Sequence, residues 1–86
     1  AIALIELDRV GNKLISEPEI ISRGFVYHQG MKDLLVKAGR ELRIQLEKKK
    51  RLDKKVAKDT SIDFLERFFF EEIGSRPMIL PVVVEV

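Results

Sequence analysis

The sequence predicts a small α+β domain, a three-stranded sheet with two helices packed on one face, in the order strand, strand, helix, helix, strand. Three observations carry this. Aliphatic residues crowd both ends of the chain in short-period runs. From Met31 onward the apolar residues change to a spacing of three and four. Gly74 and Pro77 then separate a second helical stretch from the last aliphatic run. Eighty-six residues make one domain. Such a chain buries only about 60–65% of the surface its unfolded form exposes, so it gains from docking on something larger.

Ala1 to Asp8 is the first strand, with Ala3, Ile5 and Leu7 on one face and Ile2 and Leu4 on the other. Arg9-Val10-Gly11-Asn12 reads as a turn, because Gly and Asn accept positive φ at little cost. Lys13 to Ser16 starts the return strand. Pro18 has no N–H to give to a ladder, which predicts a bulge or an edge there. Glu19 to His28 resumes extended structure, with Gly24 marking a kink or a close backbone approach.

Met31, Leu34, Leu35, Ala38, Leu42 and Leu46 form one stripe of an amphipathic helix. Gly39 inside it costs about 1 kcal/mol against Ala, so close packing on the sheet is expected to favour it. The second helix ends at Gly74. Its start has two readings: about Asp53, from Ala57, Ser61, Phe64, Leu65, Phe68 and Glu72, or a cap at Asp59 or Thr60, from Ile62, Leu65, Phe69 and Ile73. The long version is preferred. Met78 to Val86 is the last strand, with Met78, Leu80, Val82, Val84 and Val86 on one face and Ile79, Pro81, Val83 and Glu85 on the other.

Two helices on one face leave the other face open. An antiparallel sheet with one wet face normally alternates apolar and polar residues, and here it does not. Whichever face the helices cover, the opposite one keeps large aliphatic side chains. A contiguous apolar patch marks a contact surface. Ile2, Leu4, Ile20, Val26, Ile79 and Val83 are the interface candidates.

Catalytic chemistry is hard to place on this chain. It has no cysteine, hence no disulfide framework, no thiolate zinc ligand and no thiol nucleophile. One histidine, His28, cannot build a hydrolytic metal site. The five glycines are isolated and form no phosphate loop. Glu71 and Glu72 are adjacent on a helix and do not face each other. No convergent set of reactive groups emerges, so the chain is expected not to be an enzyme by itself and to hold no cofactor. No stretch approaches the roughly 20 apolar residues of a membrane helix, and no membrane partner is expected. Ala1 lies inside an apolar run, so the start is read as a cut within a longer polypeptide.

The charge is unevenly spread. Lys48, Lys49, Lys50, Arg51, Lys54, Lys55 and Lys58 are opposed locally only by Asp53, for a local charge of +6. The remaining nine basic and thirteen acidic residues give −4. The segment is either a solvated helix connection or a patch that holds RNA phosphates. It contains no aromatic residue for base stacking.

Two stretches carry a family resemblance. Pro18-Glu19-Ile20-Ile21-Ser22-Arg23-Gly24-Phe25-Val26-Tyr27 and Arg76-Pro77-Met78-Ile79-Leu80-Pro81-Val82-Val83-Val84-Glu85-Val86 resemble the signature stretches of the ribonuclease J C-terminal domain. The opening strand, with Leu7-Asp8 before its turn, and Phe68-Phe69-Phe70-Glu71-Glu72 are similar to the family's first strand and last helix. The similarity spans the chain and is loosest over 31–63, where the lysine run departs from more acidic helices.

The resemblance implies a C-terminal accessory domain, residues 1–86, of a cytoplasmic ribonuclease with a metallo-β-lactamase fold and an inserted β-CASP domain. That enzyme would process and degrade RNA from the 5′ end and internally, using zinc held in its catalytic domain. The accessory domain would be a three-stranded sheet facing two helices, supporting oligomerisation and full activity. Its implied partners are the catalytic domains of the same chain and a second or paralogous subunit. No catalytic or metal residue carries over. Ser22, Arg23, Gly24, Phe25, Arg76, Pro77 and Pro81 are expected to be structural: Gly24 permits a backbone bend, and Pro77 and Pro81 keep a sheet edge from pairing promiscuously.

Overall fold

The first strand, β1 (Ile2–Asp8), is the middle of the sheet in the computed structural model, which describes residues 1–10, 13–22 and 30–86. Its carbonyls alternate between two edges. Those of Ala1 and Leu7 accept from Leu80 and Val86 at 2.8 Å each, so one edge belongs to the last strand, β4 (Leu80–Glu85). The Glu6 carbonyl points the other way and accepts from Ile15 at 3.0 Å. On that second edge lie β2 (Lys13–Leu14) and β3 (Glu19–Ile21), both antiparallel to β1.

The expected return strand is therefore split, and the sheet has four strands in a width of three. Leu7 pairs with Leu14, and Leu4 pairs with Glu19. Four residues of the return, Ile15 to Pro18, thus lie against Ile5 and Glu6. This is the bulge that Pro18 predicts. The second half of the expected strand Glu19–His28, from Arg23 on, and Gly11 and Asn12 of the turn lie outside the described residues.

β4 is parallel to β1, with Ile2 opposite Leu80 and Leu7 opposite Glu85, so the sheet is mixed. Parallel neighbours need a long crossover, and both helices belong to it.

The first helix, α1 (Met31–Glu47), covers the β2–β3 side, and the second, α2 (Lys54–Ile73), covers β4. The long version of α2 is the observed one. Asp53 caps it, accepting from the Val56 N–H at 2.8 Å. The charged side chain satisfies a backbone donor that the helix leaves free. At the far end Gly74 adopts φ 70° and its N–H donates to Phe70 at 2.9 Å.

The core lies between the helices and one sheet face. It comprises Ala1, Ala3, Ile5 and Leu7 from β1 and its entry, Ile20, Ile79 and Val83 from the flanking chain, Ala38, Leu42, Leu46, Ala57, Leu65, Phe68 and Phe69 from the helices, and Leu52 from their connection. Ala1, Ala3 and Ala38 keep the layers close. Gly39 takes this furthest: a Cβ there would run into the Pro18 carbonyl oxygen, backbone that cannot swing aside. The packing reason expected for Gly39 is present, and its neighbour is the bulge. Ser61 is the one buried polar side chain among the described residues, and its hydroxyl donates to the Ala57 carbonyl at 2.7 Å.

Candidate docking face and basic end

Strand pairing fixes which side chains share the uncovered face. Paired residues point to the same side of a sheet. Ala3 pairs with Ile20 and Pro81, and Ile5 with Val83, so these residues point to the helices. Ile2 pairs with Ile21 and Leu80, Leu4 with Glu19 and Val82, and Glu6 with Val84. These line the open face.

The result is an apolar corner and a polar corner. Met78, Leu80, Val82, Val84 and Val86 form an aliphatic column along β4, and Leu80 is 55% exposed. Ile2, Leu4 and Ile21 widen that column at the Ala1 end and are half-buried. Toward the other end the face turns polar. Glu6 accepts from the Ser16 hydroxyl at 3.0 Å, and Asp8 lies opposite Lys13.

Ile2 and Leu4 thus lie on the open face. Ile20, Ile79 and Val83 do not: they are 7%, 8% and 8% exposed and sit beneath the helices. Val26 lies outside the described residues. Alternation sorts β4 into two faces and leaves the choice between them open. Glu85 shares its side with Ile79 and Val83, which makes the buried side look wet. The missed residues, Leu80, Val82, Val84 and Ile21, follow from register: each pairs directly with Ile2, Leu4 or Glu6.

The edge of β4 away from β1 has a specific blemish. Leu80 and Val86 aim their N–H groups at β1, so the nitrogen of Pro81 faces the outer edge. At that position the outer edge therefore offers no N–H donor. Arg76 lies with its guanidinium 4.7 Å from the Phe70 ring centroid, a cation–π contact that ties the segment after α2 back to the helix. Pro77 and Ser22 are half-buried, and Arg23, Gly24 and Phe25 lie outside the described residues.

The basic segment forms one end of the molecule. Lys48 to Arg51 make the connection between the helices, and Lys54, Lys55 and Lys58 lie on the first turns of α2. All are exposed except Lys58, which is half-buried. Among the described residues no salt bridge engages any of the seven; the ion pairs lie elsewhere, on Lys37 and Arg43. Lys13 joins from β2, lining with Lys49, Lys50, Glu47, Leu14 and Leu52 a cleft of about 360 Å³.

Among the described residues no group of three or more His, Cys, Asp or Glu side chains could hold a metal ion, and His28 lies outside them. No helix among them is long and apolar enough to cross a membrane.

The whole chain, residues 1–86, matches the family model described as the Ribonuclease J C-terminal domain. Ribonuclease J 2 of Staphylococcus aureus (strain NCTC 8325 / PS 47) is 36% identical over 88 residues, covering 99% of this chain and 16% of the relative. Ribonuclease J2 of Bacillus subtilis (strain 168) is 34% identical over 88 residues, again 99% of this chain and 16% of the relative. The chain spans 16% of the length of these relatives. With its strands, helices and both signature stretches inside the matched span, the chain belongs to the ribonuclease J C-terminal domain family.

Proposed function

We propose that this chain is the non-catalytic C-terminal domain of a ribonuclease J-type enzyme, and that its open sheet face is an assembly surface. The observation that carries the reading is the aliphatic column Leu80, Val82 and Val84, continuous with Ile2, Leu4 and Ile21 on a face that neither described helix covers. A second copy of the domain or a neighbouring domain of the same polypeptide removes that surface from water. Each Å² of apolar area so buried contributes about 25 cal/mol before association costs. In the complete enzyme the zinc, the hydrolysis of RNA and the metallo-β-lactamase and β-CASP domains belong to the catalytic body. The accessory domain supports its oligomerisation and activity in the cytoplasm.

Sedimentation of the isolated domain over a range of concentrations tests self-association, and gel filtration of the complete enzyme tests docking on the body. Val82→Asp and Leu80→Asp place a carboxylate on the open face without entering the core. The expected result is dissociation, or loss of activity of the complete enzyme, with an unchanged circular dichroism spectrum. An enzyme whose oligomeric state and activity both ignore these changes refutes the assembly role.

A further inference from the structure

The basic end is not used by the open face, and its surroundings narrow what it can bind. Seven cations in the segment from Lys48 to Lys58, with Lys13 beside them, stand without ion-pair partners among the described residues. The one acid within the segment, Asp53, is occupied at the helix N-terminus. The amides of that first turn add positive potential, and no acidic residue stands in it. Farther along α2 the exposed acids Asp59 and Asp63 close the positive surface.

No fully exposed apolar side chain stands among these lysines: Leu14, Val56 and Phe64, which line clefts with them, are half-buried. Leu52, the one aliphatic residue in the connection, is 3% exposed and belongs to the core. The apolar stripe of α2, with Ala57, Leu65 and Phe68, is spent against the sheet. A membrane-surface helix needs such a stripe free to enter the lipid boundary. Protein interfaces place lysine at a polar rim around an exposed apolar core, and here the neighbouring apolar side chains are buried or half-buried. What remains is a polyanion recognised by charge alone.

We infer that the Lys48–Lys58 end, with Lys13, is a contact site for the phosphate backbone of RNA, indifferent to base sequence. The choice of RNA among nucleic acids rests on the reading of the parent as a ribonuclease. Binding neutralises phosphates and releases their condensed counterions. No aromatic residue lies between Lys48 and Lys58 to stack on bases, so sequence is not read. The site would retain an RNA on the enzyme at a distance from the chemistry, adding affinity without adding contacts in the catalytic body.

The test is fluorescence anisotropy of the 86-residue domain with a fluorescein-labelled oligouridine. With about five phosphates neutralised, affinity should fall roughly 100-fold between 50 and 200 mM salt. Lys49→Ala, Lys50→Ala and Lys54→Ala combined should reduce the slope of log affinity against log salt by about 2. Val82→Asp should leave binding unchanged, which separates this site from the assembly face. A triple variant whose affinity and salt slope equal those of the parent domain, or no binding at 50 mM salt, overturns the inference. So does equal binding of polyglutamate or of phosphatidylserine vesicles, which would assign the end to an acidic protein or a lipid surface.

Discussion

Gly39→Ala should destabilise the domain although alanine is the better helix former. In an exposed helix interior this change stabilises by about 1 kcal/mol. At position 39 the added Cβ meets the Pro18 carbonyl oxygen well inside contact distance, with the Pro18 carbonyl carbon 3.5 Å and the Ile20 side chain 3.7 Å away. The obstacle is backbone, held on one side by the β1–β3 pairing and on the other by the bulge, so relief requires α1 and the return strand to separate. Overpacking of this kind costs about 1–3 kcal/mol, occasionally more. Set against the helix gain, and with a rigid obstacle at the upper part of that range, the net loss is about 1–2 kcal/mol. For a domain of this size that lowers Tm by roughly 4–15 °C. Thermal unfolding followed at 222 nm measures it directly. A Tm equal to or above that of the parent domain would mean that the approach of α1 to the bulge is loose, and would refute this account of Gly39.

Asp53 separates stability from charge. Asp53→Ala removes the cap of α2 and should cost about 1 kcal/mol in denaturant unfolding. Asp53→Asn keeps a side-chain acceptor for the Val56 N–H, so stability should hold while the oligouridine binds more tightly as the local charge rises by one. Lys37 gives a pH signature. Its ammonium donates to Glu72 at 2.8 Å, and this hydrogen bond and charge raise its pKa above 10.5. A raised folded value means the contribution is complete below 10.5 and is lost as pH climbs through the raised value. The pair is solvent-exposed, so the effect is small, and Lys37→Met should flatten the alkaline limb of a stability profile.

Much of this architecture is legible in the residues. The period of the apolar positions marks both helices, Pro18 marks the bulge, and Asp53 and Gly74 mark the ends of α2, because each acts through a local property of the backbone. Ile2 and Leu4 of β1 are among the candidates that the sequence names, although the sequence does not say which face the helices cover. The basic end needs only a count of charges.

What the tertiary structure decided is non-local. That β4 runs parallel to β1, and that Leu80, Val82 and Val84 rather than Ile79 and Val83 face outward, depends on pairing across more than seventy residues of chain. Alternation along one strand gives two sides and no sign. Only a partner strand, itself pinned by the helices on Ala3 and Ile5, says which side is covered. The addition of Lys13 to the lysines of the helix connection has the same origin, because β2 is brought there by pairing with the end of β1. Local chemistry fixes the elements, whereas the sign of each face is set by contacts that no single stretch contains.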